Sequence, residues 1–382
     1  MFERGYPVHD TAVHEILSTP LRLNADTQRT GKGITVAFVD SGFYPHPDLG
    51  DRVLTHVDAT EPRVVESRRR FHRPMWYGWH GQMTSTIACG DGRLSEGYYR
   101  GLAPQANLVL IKVSTPKRQI KEPDILRGLE WLTAHHVRFG VRVVNVSVGG
   151  DFPNADPEYS LHRVVRRLVD EGVVVVTAGG NNPSAPLVPP ATAPEAITVG
   201  GYDDHNSLDR THWRLYGHST GRAFDGTPKP DILAPAAWIA SPILPRTSVA
   251  RESQWLAPLM RLPKEDAKAL RTLLKEAYTD LGLTKAQATR PTAQVMADLQ
   301  SRILEHKIIH PHYQHVGGTS VAAAVVSGLV AQMLEANSRL TPGMVKDMLI
   351  RTAVRLPEAP LEPQGAGAIR AGDAVANAAA HT

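Results

Sequence analysis

Apolar residues along this chain fall into short unbroken runs, each ending in polar residues or glycine and separated from the next by amphipathic stretches. The first run, ITVAFVDSG from Ile34, has the form of a parallel strand buried on both faces and opening into a loop. Four more share that form: LVLIKV from Leu108, VRVVNVSVGG from Val141, VVVVTAGGN from Val173 and AITVGG from Ala196. Strands alternating with helices predict an α/β fold of three layers, a mostly parallel sheet covered by helices on both faces. Ligands and reacting groups collect at the carboxyl ends of strands in such sheets, where Asp40, Ser147 and Asn181 stand.

Between about residues 243 and 312 the texture changes. The stretch LPKEDAKALRTLLKEAYTDL places Ala267, Leu270, Leu274, Ala277 and Leu281 on one helical face, and TAQVMADLQSRILEH does the same with Val295, Met296, Leu299 and Ile303. A helical hairpin inserted into the sheet domain is expected, with GLTKAQATRP as its turn. The segment GGTSVAAAVVSGLVAQML that follows is apolar on nearly every side and predicts a buried helix, and a capped helix begins near Thr341 and Pro342. The chain divides into an N-terminal segment, residues 1–32, and a domain over 33–382 that carries the insertion.

Composition narrows the function classes. Lys and Arg outnumber Asp and Glu by 42 to 38, too small a surplus for a polybasic surface, so no nucleic-acid partner is expected. The first twenty residues carry charges and prolines where a signal peptide needs an apolar run, and no apolar stretch looks long enough to cross a bilayer. A cytoplasmic location without a membrane partner is the expectation, and the lone Cys89 agrees with a reducing compartment. Oligomeric state is not written in the sequence.

Three residue types in order suggest nucleophilic catalysis. Ser320 follows two glycines and a threonine and opens the buried helix, where backbone N–H groups favour negative charge. His80 lies in GWHGQMTSTIAC, where Gly81 permits a close backbone approach, and Asp40 ends the first strand. A hydroxyl, an imidazole to activate it, a carboxylate to orient the imidazole and donors for an oxyanion are the parts that hydrolysis by serine requires.

The segments VDSGFYPHPDL, HGQMTSTIA, VVNVSVGG, VVVVTAGGN and GGTSVAAA resemble, in order and spacing, the signature segments of the subtilisin-like serine peptidases. That resemblance implies the subtilisin-like α/β/α fold and a serine endopeptidase needing no cofactor for its chemistry. By it Asp40, His80 and Ser320 carry over as the triad, and Asn181 as an oxyanion donor beside the Ser320 N–H. Ser147, Val148 and Gly149 carry over as the strand that pairs with an extended protein or peptide substrate. Asp48, in HPDL, matches a position that holds structural calcium in many members, so calcium is a candidate ligand there. Departures from the pattern are Gln82 and Met83 for a Thr-His pair, Ser85 and Thr86 for Ala-Gly, Val321 for methionine, and Ala324 for proline.

Other readings compete. One is a catalytically silent binding protein on the same fold, and another is a pathway-specific processing peptidase. His306 and His310 have the spacing of a metal-binding helix face, though surface histidines are the plainer reading. Arg68, Arg69, Arg70 and Arg73, interleaved with Phe71, Trp76, Tyr77 and Trp79, suggest single strands out of context but a substrate cleft so close to His80. Restraint of activity is expected from one of two devices: residues 1–32 as a short pro-peptide, or the insertion as a gate over the cleft.

Overall fold

The computed structural model describes residues 16–381 except 45, 62, 68–74, 76, 118, 261–266 and 358. The chain opens with a single turn, α1 (Thr19–Arg22), then β1 (Thr35–Asp40), β2 (Val53–Asp58), β3 (Val65–Ser67), α2 (Gly78–Cys89), β4 (Asn107–Lys112) and α3 (Glu122–Phe139). It continues through β5 (Val141–Val146), α4 (Ser160–Asp170), β6 (Val174–Ala178), β7 (Ile197–Asp203) and the short β8 (Arg214–Leu215), β9 (Gly221–Arg222) and β10 (Pro228–Lys229). After β11 (Ile232–Pro235) and β12 (Ile239–Pro242) come α5 (Ser248–Leu259), α6 (Ala267–Ala277), α7 (Lys285–Ala288), α8 (Thr292–Glu305), β13 (Ile308–His310) and β14 (Tyr313–Val316). The last helices are α9 (Thr319–Ala336), α10 (Pro342–Thr352), α11 (Leu361–Gln364) and α12 (Ala371–Ala380).

The main sheet runs β11-β7-β6-β5-β1-β4-β2-β3, with β8 paired to β7. Pairings from β11 through to β2 are parallel, and β3 and β8 add antiparallel edges. Alternation along each strand feeds two cores. Val36 and Phe38 of β1, Leu108 and Leu110 of β4, and Val174 and Val176 of β6 face α2 and α9. Ala37, Val39, Val109, Ile111 and Val175 face α3 and α4. Burial on both faces is the reason these strands read as continuous apolar runs. β2 escapes that pattern because it buries Thr55, His56 and Asp58 among its valines.

α9 is long and apolar enough, by length and composition alone, to cross a membrane, which corrects the sequence expectation that no stretch would be. It is 89% buried inside the protein, so the helix is the centre of the core. Small residues let α2 lie against it: a Cβ added at Gly328 would stand 2.9 Å from the Ala88 carbonyl oxygen.

The inserted region is larger than a hairpin. α6 and α8 match the two amphipathic stretches, and Leu270, Leu274, Ala277, Leu281, Val295, Leu299 and Ile303 are buried together. α5 precedes them, capped by Thr247, whose hydroxyl accepts from the Ala250 N–H. A three-stranded antiparallel sheet, β12-β14-β13, ties the region back to the chain before Ser320. Its core also takes in Tyr99 and Ile16, so the described part of the N-terminal segment is built into the fold. Arg22 forms a fully buried ion pair with Asp204 at 2.5 Å, and the Glu335 carboxylate accepts from the backbone N–H groups of Thr30 and Gly31 at 2.6 Å each.

Candidate active site

Asp40 ends β1, and Ser147 and Asn181 follow β5 and β6; the three strands are neighbours in the sheet, so the parallel register delivers all three residues to one edge. Asp40 is fully buried. Its Oδ1 accepts from the Ser41 N–H at 2.6 Å and lies 2.6 Å from His80 Nδ1. Its Oδ2 accepts from the Thr84 hydroxyl at 2.9 Å. His80 sits in the first turn of α2, which approaches the loop after β1 so closely that a Cβ on Gly81 would overlap the Gly42 carbonyl oxygen. Only glycine permits that contact, and the contact sets the Asp40–His80 distance.

Burial disfavours the charged imidazole, but the Asp40 charge and hydrogen bond outweigh it, and the His80 pKa is raised above the ordinary 6.5. The tautomer with the proton on Nδ1, facing Asp40, leaves Nε2 as a base.

Ser320 is the second residue of α9, which begins where Gly318 takes a φ of 136°. The first turn divides its N–H groups unequally. Thr319 N–H donates to Asn181 Oδ1 at 2.7 Å, and Val321 and Ala322 N–H both reach Gly318 O. Ser320 N–H makes no hydrogen bond among the described residues. The Thr319 hydroxyl accepts from Gly180 N–H at 3.0 Å and lies 3.1 Å from Asn181 Oδ1. With its oxygen held on this side, the Asn181 amide turns its NH2 the other way, and the side chain is exposed. Among the described residues two donors, Ser320 N–H and Asn181 Nδ2, are therefore open. In this resting structure Ser320 and His80 do not hydrogen-bond to each other; α2 and α9, whose first turns carry them, pack side by side.

A cleft of about 400 Å³ borders His80 and is lined by Ser41, Tyr77, Trp79, Ser114, Ile120, Ser147, Val148 and Gly149. Gly150 N–H beyond it is tied to Pro189 O, whereas no hydrogen bond among the described residues uses the backbone of Val148 or Gly149. A side chain at 149 would meet Val188 at 2.7 Å. This short open edge suits an added extended strand.

Several expected features sit elsewhere or differ. Tyr77 and Trp79 do line the cleft; Arg68, Arg69, Arg70, Phe71, Arg73 and Trp76 lie outside the described residues. No described residue of the insertion lines that cleft. Just before the insertion, at the end of β12, Pro242 O accepts from Gln82 Nε2 of α2 at 3.3 Å. Asp48 is buried, its carboxylate engaged by the Tyr313 hydroxyl at 2.5 Å and by Leu94 N–H at 3.4 Å. Among the described residues no group of three or more His, Cys, Asp or Glu is placed to hold a metal. His306 caps α8 while His310 belongs to β13, so the two do not share a helix face. Cys89 is fully buried at the end of α2, its thiol pushed up to about 12 by burial. Sequence reasoning overlooked Thr84 and Thr319. Thr84 was findable as the residue one helical turn past His80.

A parallel sheet between helical layers, with an acid–base pair at its carboxyl edge and a serine opening the central helix, defines a subtilisin-like fold. The chain belongs to the subtilase family, whose model matches residues 31–367. It is 28% identical over 374 residues to the serine protease AprX of Bacillus subtilis (strain 168), covering 96% of this chain and 71% of that protein. Subtilisin Savinase of Lederbergia lenta is 30% identical over 188 residues, covering 49% of this chain and 62% of the relative. Among solved structures, fervidolysin from Fervidobacterium pennivorans superposes with a TM-score of 0.62 at 19% identity, over 95% of this chain and 46% of that one. A mutant of the protease domain of PatA gives 0.59 at 20% identity, over 92% and 97% of the two chains.

Proposed function

We propose that this protein is a serine endopeptidase that cleaves extended polypeptide through an acyl-enzyme, with Ser320 as nucleophile, His80 as general base and acid, and Asp40 orienting the imidazole. The observation that carries the reading is the 2.6 Å contact of buried Asp40 with His80 Nδ1, beside a helix N-terminus whose Ser320 N–H has no partner among the described residues.

Substrate backbone adds to the edge at Val148 and Gly149, which presents a carbonyl carbon to Ser320 Oγ. As Oγ attacks, its proton passes to His80 Nε2, and the carbonyl oxygen becomes an oxyanion held by Ser320 N–H and Asn181 Nδ2. Collapse breaks the C–N bond, and the amine leaves with the proton that His80 carried. Water, deprotonated by His80, then attacks the ester, and Ser320 recovers its proton from the imidazolium. Asp40, hydrogen-bonded to the imidazole, stabilises that imidazolium.

An intracellular workplace belongs to the proposal, supported by a single buried thiol, and cell fractionation with an antibody reads it. The central experiment is Ser320→Ala. Wild type takes up a fluorophosphonate probe and digests unfolded casein, and the variant does neither. Equal labelling of the two proteins overturns the assignment of Ser320.

A further inference from the structure

We propose that Thr84 is a positioning residue for catalysis, its hydroxyl locking the carboxylate plane of Asp40 so that His80 keeps a productive orientation; this rests on the reading of Asp40 and His80 given above. Thr84 is fully buried on α2, one helical turn past His80 and on the same face. Its Oγ1 is 2.9 Å from Asp40 Oδ2 and 3.2 Å from the Gly81 carbonyl oxygen. One hydroxyl proton serves one of these acceptors fully, and the shorter, charge-assisted bond to the carboxylate takes it.

The two oxygens of Asp40 are unequally supplied. Oδ1 has both His80 and the Ser41 N–H, whereas Thr84 is the only partner of Oδ2 among the described residues. A carboxylate bonded through one oxygen turns about its Cβ–Cγ bond; bonded through both, it does not. His80 and Thr84 ride on the same helix, so α2 grips Asp40 at two points and fixes the carboxylate plane relative to the imidazole. The hydroxyl also draws negative charge toward Oδ2 and tempers the pull of Asp40 on the His80 proton.

Thr84→Val keeps the β-branched shape and removes the donor. With a short chromogenic peptide as substrate, kcat falls by about tenfold, the worth of one hydrogen bond to a charged group, while KM holds. The acid limb of kcat against pH moves to higher pH, because an Asp40 with fewer donors favours the imidazolium more. Thr84→Ser, which retains the hydroxyl, restores both kcat and the limb. A valine variant with wild-type kcat and limb overturns the proposal, as does a serine variant as impaired as valine. If the valine variant fails to fold by circular dichroism, Thr84→Cys replaces it. Its thiol is a weak donor, so reduced kcat and a shifted limb are expected, and wild-type values for both overturn the idea. Fluorophosphonate labelling separates the two levels: labelled wild type with an unaffected valine variant sinks only the role of Thr84, whereas unlabelled wild type sinks the catalytic reading with it.

Discussion

Tyr313 and Asp48, 265 residues apart in the chain, meet in the interior with the phenolic hydroxyl donating to the carboxylate at 2.5 Å. One stands in β14 after the inserted region and the other in the turn Pro47–Arg52 after β1. The bond fastens β14, which follows the insertion, to the turn that packs against α2, the helix that carries His80.

Asp48 also makes stability depend on pH. Burial raises its pKa from 3.8 to about 6, against the hydrogen bonds from Tyr313 and Leu94. An acid whose folded pKa exceeds its unfolded value stabilises the fold fully below the unfolded pKa, and loses that contribution as pH rises through the folded one. The window is pH 4 to 6, and the loss is roughly 3 kcal/mol at about 1.4 kcal/mol per unit. Asp48→Asn keeps an oxygen for Tyr313 and does not titrate. In urea melts the variant gains on wild type by that amount between about pH 4 and pH 7. A difference independent of pH contradicts the expectation.

Activity has its own pH dependence. The base that the proposed mechanism assigns to His80 works only when neutral, and Asp40 raises its pKa despite burial, so kcat/KM is expected to fall on the acid side with a midpoint above 6.5. A profile measured between about pH 5 and pH 9 checks this; a midpoint below 6.5 is incompatible with the paired imidazole.

In the proposed mechanism Asn181 is one of two oxyanion donors, and replacing it with leucine removes that donor. Turnover should drop by about a hundredfold to a thousandfold, the magnitude known for removing such a donor from a subtilisin, with KM little changed. An equal rise in KM with kcat intact would show that Asn181 holds the ground state instead.

Gly81→Ala tests the close approach of α2 to the loop after β1. The added Cβ overlaps Gly42 O and stands 2.8 Å from the Phe43 ring, which pushes His80 away from Asp40. Because a displacement of about 1 Å in a reacting group costs on the order of a hundredfold, kcat should suffer on that scale. A variant with wild-type kcat would mean the loop yields.

The ion pair of Arg22 with Asp204 decides the standing of the N-terminal segment. Both side chains are fully buried, so Asp204→Ala strands a charge and should cost about 3–5 kcal/mol in thermal or urea unfolding. A chain beginning near Leu23 leaves Asp204 unpaired in the same way. It should melt earlier than the full chain, with no gain in activity on a short peptide, whereas a removable pro-peptide predicts the opposite.

Much of this was legible in the sequence because the signals are local. The runs at Ile34, Leu108, Val141, Val173 and Ala196 are strands since a parallel sheet buries both faces, and α8 occupies 292–305 as its apolar spacing dictates. β2 and β12–β14 were not legible: they are short, carry buried polar residues, and gain strand form from partners distant in the chain.

The sequence by itself determined the order of Asp40, His80, Asn181 and Ser320, the sheet that carries them and the glycines that admit them. Tertiary structure decided what surrounds each. Thr84 reaches Asp40 because α2 folds over the end of β1; Thr319 fixes the Asn181 amide because α9 starts beside β6; Tyr313, and no described cluster of metal ligands, meets Asp48. A hydrogen bond across 138 or 265 residues leaves no periodic trace in the chain, since its partners are chosen by packing and by the demand that buried polar atoms be paired.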